Sequence, residues 1–134
     1  MAILLALLLA TAQPSSSAVG GRYVAVTETE YAIELQLRPS GRVSLEFRTW
    51  AADNPEHPTV WRFNGSWSWS GKNITARFES GQSATFTPVA CLSYTEFAQQ
   101  GCSPGLRLVT TTFPKRYGLQ RFGLWRADEL RGQL

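Results

Sequence analysis

The chain has one histidine, His57, set between Glu56 and Pro58 in a polar stretch. Histidine titrates near neutral pH and does acid–base work when a carboxylate orients it and a nucleophile lies within reach. Asp53 and Asp128 are acids that could orient it. No Gly-x-Ser-x-Gly turn supplies a nucleophile, and Ser66 and Ser70 fall at ordinary strand and turn positions. A hydrolase using His57 is kept as an alternative, beside the simpler reading of a solvated loop histidine.

The carboxylates are scattered. Glu28 and Glu30 form a local pair, and Glu34 and Glu46 lie on the polar faces of two alternating segments. A glycosidase needs two carboxylates across a cleft, one of them held as a proton donor. Nothing marks such a cleft, and cross-strand pairing with Arg38, Arg42 or Arg48 is the simpler role. No catalytic residue is assigned. With one His and two Cys, neither a metal nor another cofactor is expected. Cys91 and Cys102 have ten residues between them, unlike a C-x-x-C redox pair. In an oxidising compartment they read as one disulfide closing a short loop. Asn64-Gly65-Ser66 and Asn73-Ile74-Thr75 match the N-glycosylation pattern, which matters only in a eukaryotic secretory pathway.

Aromatic residues are the more informative set: Trp50, Trp61, Trp67, Trp69 and Trp125, with seven Phe and four Tyr. They either fill a small core or partly line an open pocket at its mouth. For the second case Trp50, Trp61, Trp69 and Arg126 are the candidate ligand-binding residues.

The elements that must position these residues are legible in the alternation. Hydrophobic residues make up 43% of the 134 positions, a globular value. Arg22–Thr29 reads as a first strand. Tyr31, Ile33, Leu35 and Leu37 share one face of the next, and Val43, Leu45 and Phe47 one face of a third beyond the Pro39-Ser40-Gly41 turn. Residues 51–59, with Asp53, Pro55 and Pro58, read as a loop. Strands follow at 60–70, 73–79, 84–89, 105–112 and 117–126. Between the cysteines, Ser93-Tyr94-Thr95-Glu96 has capping-box spacing and predicts a short helix over 93–100. The fold class is all-β: a small antiparallel up-and-down barrel of about eight strands with one short helix, a β-sandwich being the alternative. Leu35, Leu37, Val43, Leu45, Phe47, Trp67, Ile74, Phe78, Leu106, Leu108 and Leu124 are expected to face inward.

Residues 2–12 are apolar apart from Thr11, too short to span a bilayer but the length of a signal-peptide core. No Lys or Arg precedes this run. Small-x-small cleavage sites end at Ala12 and at Ala18, Ala12 lying closer to the apolar run. No cysteine follows for lipid attachment. Residues 1–18 are therefore expected to be signal peptide and linker, and 19–134 a single domain, secreted or periplasmic, without a membrane span. Thirteen Lys plus Arg against ten Asp plus Glu give +3, and the basic residues are dispersed. Nucleic-acid binding, which needs a concentrated basic face, is not expected. Lys115, Arg116 and Arg121 make a modest anionic-partner patch at most.

Gly21-Arg22-Tyr23, Gly65-Ser66-Trp67-Ser68 and Gly123-Leu124-Trp125-Arg126, with Leu35-x-Leu37-x-x-x-Gly41, resemble small bacterial envelope barrels. They are similar to the N-terminal domain of the NlpE copper-resistance lipoproteins and to lipocalin-like barrels. The resemblance covers residues 21–126 and implies a barrel fold and an envelope location. Lipocalin-like barrels place a Gly-x-Trp on the first strand and a basic residue on the last; here Tyr23 replaces the Trp, and Arg126 could stack on an aromatic ring. The NlpE lipobox Cys and C-x-x-C pair are missing, so copper binding does not carry over. The expected function is non-enzymatic binding, by a monomer, of a protein partner or small apolar ligand. An inhibitor or immunity-type protein acting through the 51–59 loop is the alternative.

Overall fold

The computed structural model describes residues 16–26, 31–51, 54–94, 100–121 and 123–130. Eight strands follow one another in one closed antiparallel sheet. They are β1 Gly21–Val26, β2 Tyr31–Leu37, β3 Arg42–Ala51, β4 Asn54–Trp69, β5 Ile74–Phe78, β6 Ser83–Ser93, β7 Cys102–Thr111 and β8 Leu124–Arg126. One-turn helices flank them, α1 Ser16–Val19 and α2 Ala127–Leu130, and a 3-10 turn at Lys115–Tyr117 lies between β7 and β8. The up-and-down barrel is the fold, and a single closed sheet excludes the sandwich.

Alternation explains the closure. Ile33, Leu35 and Leu37 stand opposite Phe47, Leu45 and Val43, and all six are buried. Side chains repeat every second residue along a strand, so one face of each strand is apolar and the sheet curls to enclose it. Of the positions expected inward, Trp67 and Leu108 are only partly buried, packed at the edge of the core.

Three segments differ from expectation. The first is 51–59, whose described residues, 51 and 54–59, are strand: Ala51 pairs with Asn54, and β3 carries a bulge between Thr49 and Ala51. Pro55 and Pro58 suggested a loop because proline has no N–H to give a ladder. Yet β5 joins β4 only from Gly65 onward, so the early part of β4 keeps one unpaired edge, where a proline loses nothing.

The second is the region between the cysteines. Cys91 and Cys102 are bonded, their Cα atoms 5.0 Å apart, but the ladder runs on past them: Ser93 pairs with Cys102, and the Tyr94 N–H donates to the Gly101 carbonyl at 3.1 Å. Ser93 and Tyr94, where the capping pattern begins, belong to this ladder; residues 95–99 of the expected helix lie outside the described residues. A bridge with a sequence separation of 11 stabilises the fold by about 3 kcal/mol in the loop-entropy view.

The third is 117–126, where only Leu124–Arg126 is strand. The residues before it fold over the barrel end as an aromatic plug. Phe113 lies 5.5, 4.9 and 5.3 Å from Phe47, Phe63 and Phe78, and Tyr117 lies 4.9 Å from Phe47. Most of these rings meet edge to face, the arrangement their quadrupoles favour. Lys115 and Arg116 are exposed on the plug's outer side, and the Arg116 guanidinium stands 5.0 Å over the Tyr117 ring.

Candidate binding site

The four residues proposed from sequence to bind ligand are not gathered in one place. Trp61 meets Tyr117 edge to face at 5.3 Å and belongs to the plug. Trp69 is eight residues further along β4, ~26 Å at the rise of an extended strand, and packs against the core at the opposite end. Trp50 is half-buried at the β3 bulge. Arg126 closes the end that holds Trp69.

His57 is exposed on the projecting part of β4, at the plug end. Asp128 is at the other end, exposed, 3.8 Å from Arg126, so it cannot orient His57. Asp53 lies outside the described residues. Among the described residues no cluster of His, Cys, Asp and Glu is built to hold a metal ion.

On the outer face Glu34 and Glu46 stand directly opposite each other, each engaged by arginine. Arg22 holds Glu34 at 2.8 Å; Arg48 and, at 2.8 Å, Arg62 hold Glu46. Burial pushes the Glu46 carboxyl up, but hydrogen bonds from Arg62 and Arg48 outweigh it and hold the carboxyl below its ordinary range. That is the opposite of what a general acid needs. This face carries a polar hollow of about 400 Å³ between Gln36, Ser44, Arg48 and Asn64.

The end away from the plug is closed by α1 and the residue after it. Three consecutive backbone carbonyls are taken by side chains of the first and last strands. Arg126 Nη1 donates to the Ala18 carbonyl at 2.9 Å, Tyr23 Oη to that of Val19 at 2.7 Å, and Arg126 Nη2 to that of Gly20 at 2.7 Å. The guanidinium stands 5.6 Å over the Tyr23 ring. Val19 is buried. Burial raises the Tyr23 phenol, with Arg126 pulling it the other way, so it stays a hydrogen-bond donor. One of the three carbonyls, that of Ala18, lies in the segment that composition assigned to a linker.

Beside this latch a rim hollow of about 330 Å³ opens between Gly20, Gly21, Leu37, Arg38, Pro39 and Trp67. The sequence positions each wall. The turn after β2 places Pro39 at the rim, and Trp67, at the end of its Gly-x-Trp segment, ties itself to that turn. Its N–H donates to the Gly41 carbonyl at 2.9 Å and its Nε1 to the Arg38 carbonyl at 2.8 Å. The indole is thereby fixed at the rim. Arg22 also lines the hollow but is engaged by Glu34. Arg38 donates to Gln36 Oε1 at 3.0 Å and Ser44 Oγ at 3.2 Å, both neutral. An apolar wall with a cation not neutralised by a described carboxylate can hold a small amphiphilic acid. Sequence reasoning missed this site because it placed Trp67 wholly in the core and Arg38 among the ladder partners. Its visible signal was a Trp at the far end of a strand together with an Arg-Pro turn.

No protein-family model, no curated protein and no solved structure matches this chain.

Proposed function

We propose that the chain is an exported, non-enzymatic barrel that acts as a monomer by binding, and that its ligand is a small apolar molecule bearing an acid group. The observation that carries this is the rim hollow, in which Pro39 and Trp67 supply apolar surface and Arg38 a cation bonded to neutral partners. Its volume is at the low end of the ~300–1,000 Å³ usual for small-molecule sites. At the other end the rings of Phe47, Phe63 and Phe78 pack against Phe113 of the plug, which occupies that mouth of the barrel. Export is supported by the apolar N-terminal run and by the disulfide. Among the described residues no helix is long and apolar enough to cross a membrane.

Decanoate and its neutral counterpart decanol, titrated separately while tryptophan fluorescence is followed, test the proposal. Decanoate is expected to saturate. Arg38→Met should weaken it about tenfold, the lower end for a hydrogen bond to a charged group, and leave decanol unchanged. Equal weakening of both, or no saturable decanoate binding, contradicts the site.

A second reading has its own support. The β3–β4 hairpin extends past the last β2–β3 pair, Tyr31 with Thr49, and exposes Glu56, His57 and Thr59 beside an unpaired edge. Such an arm suits contact with a protein, as in an inhibitor. Loss of partner binding on substitution at His57 and Thr59, with Arg38→Met silent, would favour it.

A further inference from the structure

We infer that the exported chain is cut after Ala12 and not after Ala18, because the carbonyls of Ala18, Val19 and Gly20 form a latch of the mature barrel; this rests on the export reading above. Two small-x-small sequences qualify as cleavage sites, Ala10-x-Ala12 and Ser16-x-Ala18. Sequence pattern alone separates them only by closeness to the apolar run. The folded protein separates them by chemistry.

A cut after Ala18 removes the carbonyl that accepts Arg126 Nη1 at 2.9 Å. It also creates an α-ammonium on Val19, on the nitrogen that had been bonded to that carbonyl carbon. A hydrogen-bond acceptor facing the guanidinium is replaced by a second cation. The residue carrying this new charge is 7% exposed, and its own carbonyl is held by Tyr23 at 2.7 Å. The new ammonium then competes with the Arg126 guanidinium for Asp128, 3.8 Å from Arg126, and draws Val19 toward water. A cut after Ala12 leaves Gln13–Ser15 as a spacer. All three latch carbonyls are then kept.

Intact mass and N-terminal sequencing of protein recovered from the oxidising compartment decide the point. A chain starting at Gln13, as glutamine or its cyclised form, is the expected result. A chain starting at Val19 overturns the inference but leaves export standing. Recovery only from the cytosol, with residues 2–12 retained, overturns export and the inference with it. A second comparison reads the latch directly, using protein produced to begin at Gln13 or at Val19. The Val19 form should melt several degrees lower. Arg126→Met should lower the melting temperature of the Gln13 form more than that of the Val19 form, which keeps the Gly20 carbonyl and the Tyr23 ring but not the Ala18 carbonyl as partners of Arg126. If the two forms melt alike, residues 16–18 hold nothing and the inference fails.

Discussion

Replacing Trp125 by alanine is expected to lower stability by about 3–5 kcal/mol, as truncation of a buried aromatic does. Domains of this size are stable by only ~5–15 kcal/mol, so a large fraction would be lost. Trp125 is 1% exposed, yet it is not in the barrel interior, because its neighbour Leu124 takes the inward position opposite Leu106. It lies on the outer wall beneath the extended end of β6. Its Nε1 donates to the Leu92 carbonyl at 2.9 Å, and the Tyr94 ring lies 5.9 Å away. Leu92 settles beside it over Gly105 and Gly123, where an added Cβ would lie 2.7 and 2.5 Å from Leu92 Cδ2. The indole thus joins the last strand to the disulfide-bearing hairpin. Urea unfolding measures the change. Trp125→Phe should cost less, keeping most of the packing but removing the indole N–H that donates to the Leu92 carbonyl. A loss below about 1 kcal/mol for the alanine variant would mean that this outer layer does not form.

Gly65→Ala is expected to cost about 3 kcal/mol or more, at the upper end for overpacking. A Cβ on Gly65 would lie 1.9 Å from the Arg77 carbonyl oxygen and 2.7 Å from the Phe78 Cα. These are backbone atoms of β5, so no side chain can rotate away and the two strands must part. The close approach falls where β5 first joins β4, the Gly65–Phe78 pair, and explains why this segment opens with glycine. Gly81→Ala is the control. Gly81 has φ +95° and open space around it, so it should cost only the ~1–2 kcal/mol of a left-handed backbone. Equal costs at the two positions would show that the β4–β5 contact is misplaced.

The central hairpin was legible because Leu35, Leu37, Val43, Leu45 and Phe47 alternate without interruption, and a one-residue slip would turn all of them outward. The bonding of Cys91 to Cys102 and the place of Arg126 over an aromatic ring were legible as well. The strand at 54–59 was not. Whether a proline is tolerated depends on which edge of β4 is paired, and that is decided by β5, which begins at Ile74. Trp125 was hidden for another reason. Alternation says which face a residue is on but not whether that face is covered, and here the cover comes from Leu92 and Tyr94, some thirty residues earlier. The rim site was the least legible part. Gly20, Arg38 and Trp67 come from three separate segments, and only the sheet register and the turn hydrogen bonds bring them together.

The most direct test of the account is a ¹H–¹⁵N correlation spectrum of the disulfide-intact protein starting at Gln13, recorded as decanoate is added. Shifts are predicted at the Gly20, Gly21 and Arg38 amides and at the Trp67 indole N–H, which is held at the rim by the Arg38 carbonyl at 2.8 Å. The Trp61 and Trp125 indoles should be unmoved, since one lies in the plug and the other under β6. Shifts at Trp61 and the plug residues, or none at any of these positions, would contradict binding at the rim.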